Sequence, residues 1–226
     1  MMKTQIYSIM NADEALACVK AGADRVGVLV NNPENPNRYP CEITAEEAKP
    51  VFEALKGKAT SVLISVQDTE EEIFSQLDYL RPDVLHLCAG YKGSVRFREK
   101  LRERFPEIEL MEAVGVTDES VVQEALRISE YADCIILDSV DPNIAGIGAA
   151  GVTHDWNIDR KIIETVKVPV IVAGGLGPEN VAEVIRKTHP WGVDSLTKTS
   201  IKKDGVIIGK DIKRVKEFCR IAKEFE

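Results

Sequence analysis

Short β-branched runs alternate with stretches of helical periodicity along the whole chain, at intervals of about 25 to 30 residues, and no other feature limits the fold as much. The strands expected are Gln5–Ile9, Arg25–Val30, Ser61–Val66, Val84–Leu87, Glu109–Val114, Cys134–Leu137, Val168–Val172 and Gly192–Leu196. A helix follows each: Ala12–Ala21, Thr44–Leu55, Glu70–Leu80, Ser94–Arg104, Glu119–Ser129, Asp159–Thr165, Pro178–Lys187 and Asp211–Phe225. Thr44-Ala-Glu-Glu47 reads as a capping box, with Asp118 and Asp211 as further N-caps. Eight βα units in 226 residues fit a single α/β domain over 1–226, a (β/α)8 TIM barrel, better than an open doubly wound sheet. No Ser/Gly/Pro-rich tract or shift in composition marks a boundary inside it.

Composition removes several classes of partner. A formal charge of −8 argues against nucleic acid and against an anionic membrane surface. No apolar run approaches the roughly 18 residues of a spanning helix, and Met1–Gln5 leads into a strand, so a cytoplasmic protein is expected. The five cysteines lack paired short spacings and are odd in number; they read as reduced, mostly buried thiols. No metal-ligand spacing appears, and no metal or cofactor is expected.

In a barrel of this kind the chemistry lies on the loops that follow the strands. Val170-Ile-Val172 runs directly into Gly174 and Gly175, where the missing Cβ lets backbone approach a ligand, and Pro178-Glu179 opens a helix with unpaired amides. That is a phosphate site or a plain tight turn. Lys198 follows strand eight beside the hydroxyls of Thr197, Thr199 and Ser200, and strand eight neighbours the glycine turn in a barrel, which favours phosphate. Lys198 can equally be a surface lysine or a Schiff-base nucleophile.

Asp138 ends the run Ile135-Ile-Leu-Asp138, where burial raises a carboxyl pKa; it is an acid or a loop cap. Arg38 is a carboxylate clamp or a surface arginine. His154, in a long glycine-rich loop with Gly146, Gly148 and Gly151, suits acid–base work or is merely solvated. His86 faces either the helices or the barrel interior, His189 is structural, and Cys88 is the cysteine at the active rim or an inert thiol. The loops Asn31–Ile43 and Ser139–Trp156 are long enough to be lids or binding segments.

Several of these stretches together resemble the phosphoribosylanthranilate isomerase family, barrel enzymes of tryptophan biosynthesis that perform an Amadori rearrangement of a phosphoribosyl amine. The resemblance spans nearly the whole chain. It rests on Asn11-Ala-Asp-Glu-Ala-Leu16, Ala21-Gly-Ala-Asp-Arg-Val-Gly27, Asn37-Arg-Tyr39, Ala113-Val-Gly115, Ile136-Leu-Asp138, His154-Asp-Trp156 and above all Ala173-Gly-Gly-Leu-Gly-Pro-Glu-Asn-Val181. It implies Asp138 as general acid, Arg38 on the substrate carboxylate, and Gly174 and Gly175 at the phosphate, while the serine pair and glycine of the family after strand eight stand here as Leu196-Thr-Lys198. The family's general base is a cysteine at the end of strand one, where this chain has Tyr7, a larger group that titrates near 10 and reaches into substrate space. A base relocated to His154 or Cys88 is then required. The alternatives are a non-catalytic phosphate-ligand-binding paralogue or a lyase or aldolase that uses Lys198. The expected partner is a phosphorylated small molecule, and the expected state a monomer or homodimer.

Overall fold

The described residues are 1–31, 41–140, 147 and 153–225 of a computed structural model. Eight parallel strands close on one another in chain order: β1 (Lys3–Ile6), β2 (Arg25–Val30), β3 (Thr60–Ser65), β4 (Val84–Leu87), β5 (Glu109–Gly115), β6 (Cys134–Asp138), β7 (Val170–Val172) and β8 (Gly192–Ser195). The helices between them are α1 (Ala12–Lys20), α2 (Ala45–Leu55), α3 (Glu70–Leu80), α4 (Val95–Arg104), α5 (Val121–Ile128), α6 (Trp156–Thr165), α7 (Val181–Thr188) and α8 (Ile212–Lys223). The structure is thus the (β/α)8 TIM barrel that the alternation implies.

Because side chains alternate across a strand, the barrel has two apolar layers. Val26, Val28, Val30, Leu63, Leu85, Leu110, Ile135 and Leu137 face the helices, where Phe52, Phe97, Phe105 and Phe218 are fully buried. Their neighbours in sequence, among them Leu29, Val62, Ile64, Val84, Met111, Cys134, Ile136 and Ile171, fill the interior. Each such side chain contributes about 1.5–3 kcal/mol relative to exposure, so the parity of every strand is strongly fixed. Tyr7, His86, Cys88, Asp138 and Asp194 all have interior parity. The question of which way His86 faces is settled toward the interior.

Local chemistry explains the element ends. Thr44 and Glu47 exchange bonds as a capping box, a second box joins Thr69 and Glu72, and Asp211 accepts from Lys213 N and Arg214 N. Asp118 differs from expectation: it accepts from Ser120 N at 2.8 Å and closes a turn, and α5 begins only at Val121. The N-terminus of α7 also differs. Asn180 Oδ1 accepts from Gly177 N, and Asn180 Nδ2 donates to Gly175 O, so Pro178–Asn180 form a turn and the helix starts at Val181. Strand one stops at Ile6 because Ser8 takes a left-handed φ of 59°.

Between β8 and α8 stands an antiparallel hairpin absent from the expected elements, β9 (Ser200–Lys203) paired with β10 (Val206–Lys210). Asp204 and Gly205 connect them with φ of 51° and 82°, as a primed two-residue turn demands. Of the long segment after β2, Asn31 and Ile43 are tied together beside Val30, while Arg38 lies outside the described residues. In the segment after β6, Ile147 N donates to Cys88 O and the side chain packs on the interior core; Gly146, Gly148 and Gly151 lie outside the described residues. Among the described residues no helix is long and apolar enough to cross a membrane. The cysteines are free, and all but Cys41 are buried.

Candidate active site

Three groups of side chains meet at the C-terminal end of the strands. The first closes the barrel interior. Tyr7, just beyond β1, lays its ring against Gly27, where a Cβ would stand 2.3 Å from Tyr7 Cδ1. Its hydroxyl is 2.8 Å from His86 Nδ1 on β4, and both residues are buried. Burial holds the phenol well above its usual range and pushes the His86 imidazole down to about 3, so neither changes charge near neutrality. Tyr7 Oη and His86 Nδ1 share one hydrogen bond whose direction the imidazole tautomer sets, and His86 Nε2 is buried with no partner among the described residues. Cys88, two residues further along β4, is likewise buried and its thiol is pushed up to about 12. It is not a thiolate base at neutral pH.

The second group is a cleft lined by Asp138, Gly174, Gly175, Leu176, Asp194, Leu196 and Thr197. Asp138, the last residue of β6, accepts the Ser139 amide at 2.7 Å. Burial nevertheless raises its carboxyl to about 6, against the opposing effect of that bond and of His154. Asp194 on β8 is 4% exposed, and burial together with the Asp138 charge holds it well above the usual carboxylate range. Gly174 and Gly175 carry φ of 83° and 62°, the left-handed conformations that glycine takes without strain. Their amides donate to no acceptor among the described residues. They, rather than the start of α7, supply the unpaired N–H groups near the cleft.

Beneath that turn lies a third group. His154 Nε2 stands 2.8 and 2.9 Å from the two carboxylate oxygens of Asp159 in α6, and His154 Nδ1 is 3.1 Å from Ser139 Oγ. Asp159 is fully buried. A Cβ on Gly174 would fall 2.5 Å from Ser139 Oγ and 2.9 Å from His154 Nδ1. His154 therefore has both ring nitrogens engaged and underpins the glycine turn.

The strand-eight loop divides the residues expected around phosphate. Thr197 reaches the cleft. Thr199 turns inward toward Ser195 Oγ and Leu196 O, and Ser200 Oγ donates to Leu196 O. The buried ammonium of Lys210, on β10, donates to Ser200 Oγ at 2.9 Å and Leu196 O at 3.3 Å, bracing the same loop from below. Lys198 is exposed, with its stem packed near Gly177. An exposed ammonium lacks the desolvation that an amine nucleophile requires.

Asp194 and Asp159 were not among the residues singled out from sequence. The signal for Asp194 is its place in Gly192-Val-Asp-Ser-Leu196, where period two puts Val193 outside and Asp194 inside. Asp159 carried no comparable signal, because a carboxylate in a helix's first turn is ordinarily a solvated group at the positive end of the dipole.

Comparison with known proteins agrees with this geometry. Residues 34–220 match the family model described as N-(5'-phosphoribosyl)anthranilate (PRA) isomerase. A protein named N-(5'-phosphoribosyl)anthranilate isomerase from Methanocella arvoryzae is 32% identical over 218 residues, 96% of each chain. The structure of the phosphoribosyl anthranilate isomerase from Thermotoga maritima superposes with a TM-score of 0.80 at 28% identity, covering 99% of this chain and 100% of that one. A second structure, of such an isomerase in complex with reduced 1-(o-carboxyphenylamino)-1-deoxyribulose 5-phosphate, gives 0.78 at 26% identity, with the same coverage.

Proposed function

From the premise that the chain belongs to the N-(5'-phosphoribosyl)anthranilate isomerase family, a family of aldose–ketose isomerases, we propose that it isomerises a phosphoribosyl amine by an Amadori-type rearrangement. In this reading the free amides of Gly174 and Gly175 and the hydroxyl of Thr197 hold the phosphate, with the Lys198 charge nearby. Asp138 is the general acid that protonates the ring oxygen. Arg38, outside the described residues, takes the substrate carboxylate on the strength of its sequence position alone.

One observation carries the reading: the carboxyl of Asp138, raised to about 6, opens on the same cleft as the glycine turn. An acid must keep its proton near working pH, and it must sit where phosphate binding delivers the sugar. His154 acts here as a positioning residue: clamped by Asp159, it carries Ser139 and so fixes the floor of Gly174. Tyr7 fills the interior as the partner of His86, and the cleft above it is what remains for substrate.

The test is phosphoribosylanthranilate turnover by purified protein, followed by loss of anthranilate-type fluorescence, together with growth of a tryptophan auxotroph lacking the isomerase. Turnover and growth are expected. Asp138→Asn should lower kcat by about 10²- to 10⁴-fold, the usual contribution of one acid–base group. Well-folded protein that neither turns the substrate over nor complements would refute the substrate assignment.

A further inference from the structure

The residues so far given roles leave the rearrangement without a base. Tyr7 is committed to His86, Cys88 is held as a thiol, and both nitrogens of His154 are engaged. Among the described residues that line the cleft, the titratable side chains are Asp138 and Asp194.

Asp194 is oriented by a chain of interior side chains. Arg25 has only donors, and its Nε gives a 2.9 Å bond to Gln5 Oε1. That fixes the Gln5 amide: its oxygen faces Arg25, so its NH2 faces Asp194 and donates to Oδ1 at 3.2 Å. Arg25 is itself held between Glu109, 3.6 Å away, and the Trp191 ring, 5.5 Å from its guanidinium carbon. With Oδ1 already accepting, the proton that Asp194 gains or loses sits on Oδ2. A residue locked in this way keeps one carboxylate oxygen available for chemistry.

Resting on the isomerase reading, we propose that Asp194 is the second acid–base catalyst of this site, the base that removes the C2 proton in place of the strand-one group that Tyr7 has displaced. The steps balance with Asp138 protonated and Asp194 ionised at the start. Asp138 gives its proton to the ring oxygen as the bond from that oxygen to C1 breaks, leaving a C1=N iminium and a free hydroxyl. Asp194 takes the proton from C2; the C–H pair becomes the C1=C2 bond, and the iminium pair returns to nitrogen. Asp194 then delivers that proton to C1 while the C2 hydroxyl passes its own to Asp138, giving the C2 ketone and restoring both carboxyls. The pair carries one proton: with Asp138 protonated, the Asp138 charge that raises the Asp194 carboxyl is gone, which favours the ionised Asp194 that the first step needs.

The test is Asp194→Asn, nearly isosteric and still able to accept from Gln5. The measurements are kcat and KM, melting temperature, and affinity for the reduced carboxyphenylamino-deoxyribulose phosphate. The expected result is a fall in kcat of about 10²- to 10⁴-fold with analogue affinity and melting temperature retained. Asp194→Glu, which keeps a carboxyl, should retain more kcat than the Asn variant, and this comparison still decides the matter if Asn disturbs folding. A kcat for Asp194→Asn within a few fold of the parent, loss of analogue affinity in step with turnover, or a Glu variant no better than Asn would overturn the assignment. Absence of turnover in the unsubstituted protein would instead sink the isomerase reading beneath it, before any variant is made.

Discussion

Gly174→Ala separates two costs that the structure places at one residue. The first is conformational: φ is +83°, where an L side chain costs about 1–2 kcal/mol. The second is contact: the new methyl would stand 2.5 Å from Ser139 Oγ and 2.9 Å from His154 Nδ1, so the 3.1 Å bond between them must give way. A buried hydrogen bond is worth about 0.5–1.5 kcal/mol net, and repacking adds about as much, giving about 2–5 kcal/mol in all. Gly57→Ala is the internal control, because Gly57 has φ of +69° with nothing within 4 Å of a new Cβ, leaving only the first cost. For a chain of this length about 2–4 °C of melting temperature accompanies each kcal/mol. Gly57→Ala should therefore lose about 2–8 °C and Gly174→Ala about 4–20 °C. Urea titration of both variants gives the free energies, and phosphate-analogue affinity should weaken in Gly174→Ala alone. Equal destabilisation by the two substitutions would refute the packing of the Asp159–His154–Ser139 group under the glycine turn. A further His154→Ala substitution should recover part of the loss at Gly174, because it removes one of the two clashing atoms.

Two other perturbations test the interior. Tyr7→Phe leaves His86 Nδ1 unpaired beside an Nε2 that already lacks a partner among the described residues, and should cost about 1–3 kcal/mol in urea unfolding; no change would mean that the pair is not formed. Glu112, 1% exposed, receives only the Gly93 amide among the described residues, and burial raises its carboxyl to about 7. A folded-state pKa above the unfolded value adds stability below the unfolded pKa, and that contribution is lost as pH rises through 4.5 to 7. Glu112→Gln should therefore unfold at higher urea than the parent at pH 8, by about 1–3 kcal/mol, and lose that advantage near pH 4. An advantage independent of pH would contradict the raised pKa.

The sequence alone determined the barrel and much of its rim. Hydrophobic period two and period 3.6 are local properties, and eight alternations admit few closed arrangements, so strand identity, capping at Thr44 and Asp211, and the place of Asp138 and Gly174–Gly175 were legible. The hairpin was not among the expected elements, although Asp204-Gly205 between Ile201-Lys-Lys203 and Val206-Ile-Ile208 is the local pattern of one. Only the tertiary structure decided what the interior side chains do to one another. Tyr7 meets His86 across 79 positions of sequence, and Gln5 meets Asp194 across 189, because closing the barrel brings β1 against β8 and aims both at a common axis. Protonation followed the same rule. Burial, a property of the whole packed layer, turns Cys88 into an inert thiol and raises the Asp138 carboxyl to about 6, and no spacing along the chain encodes that environment.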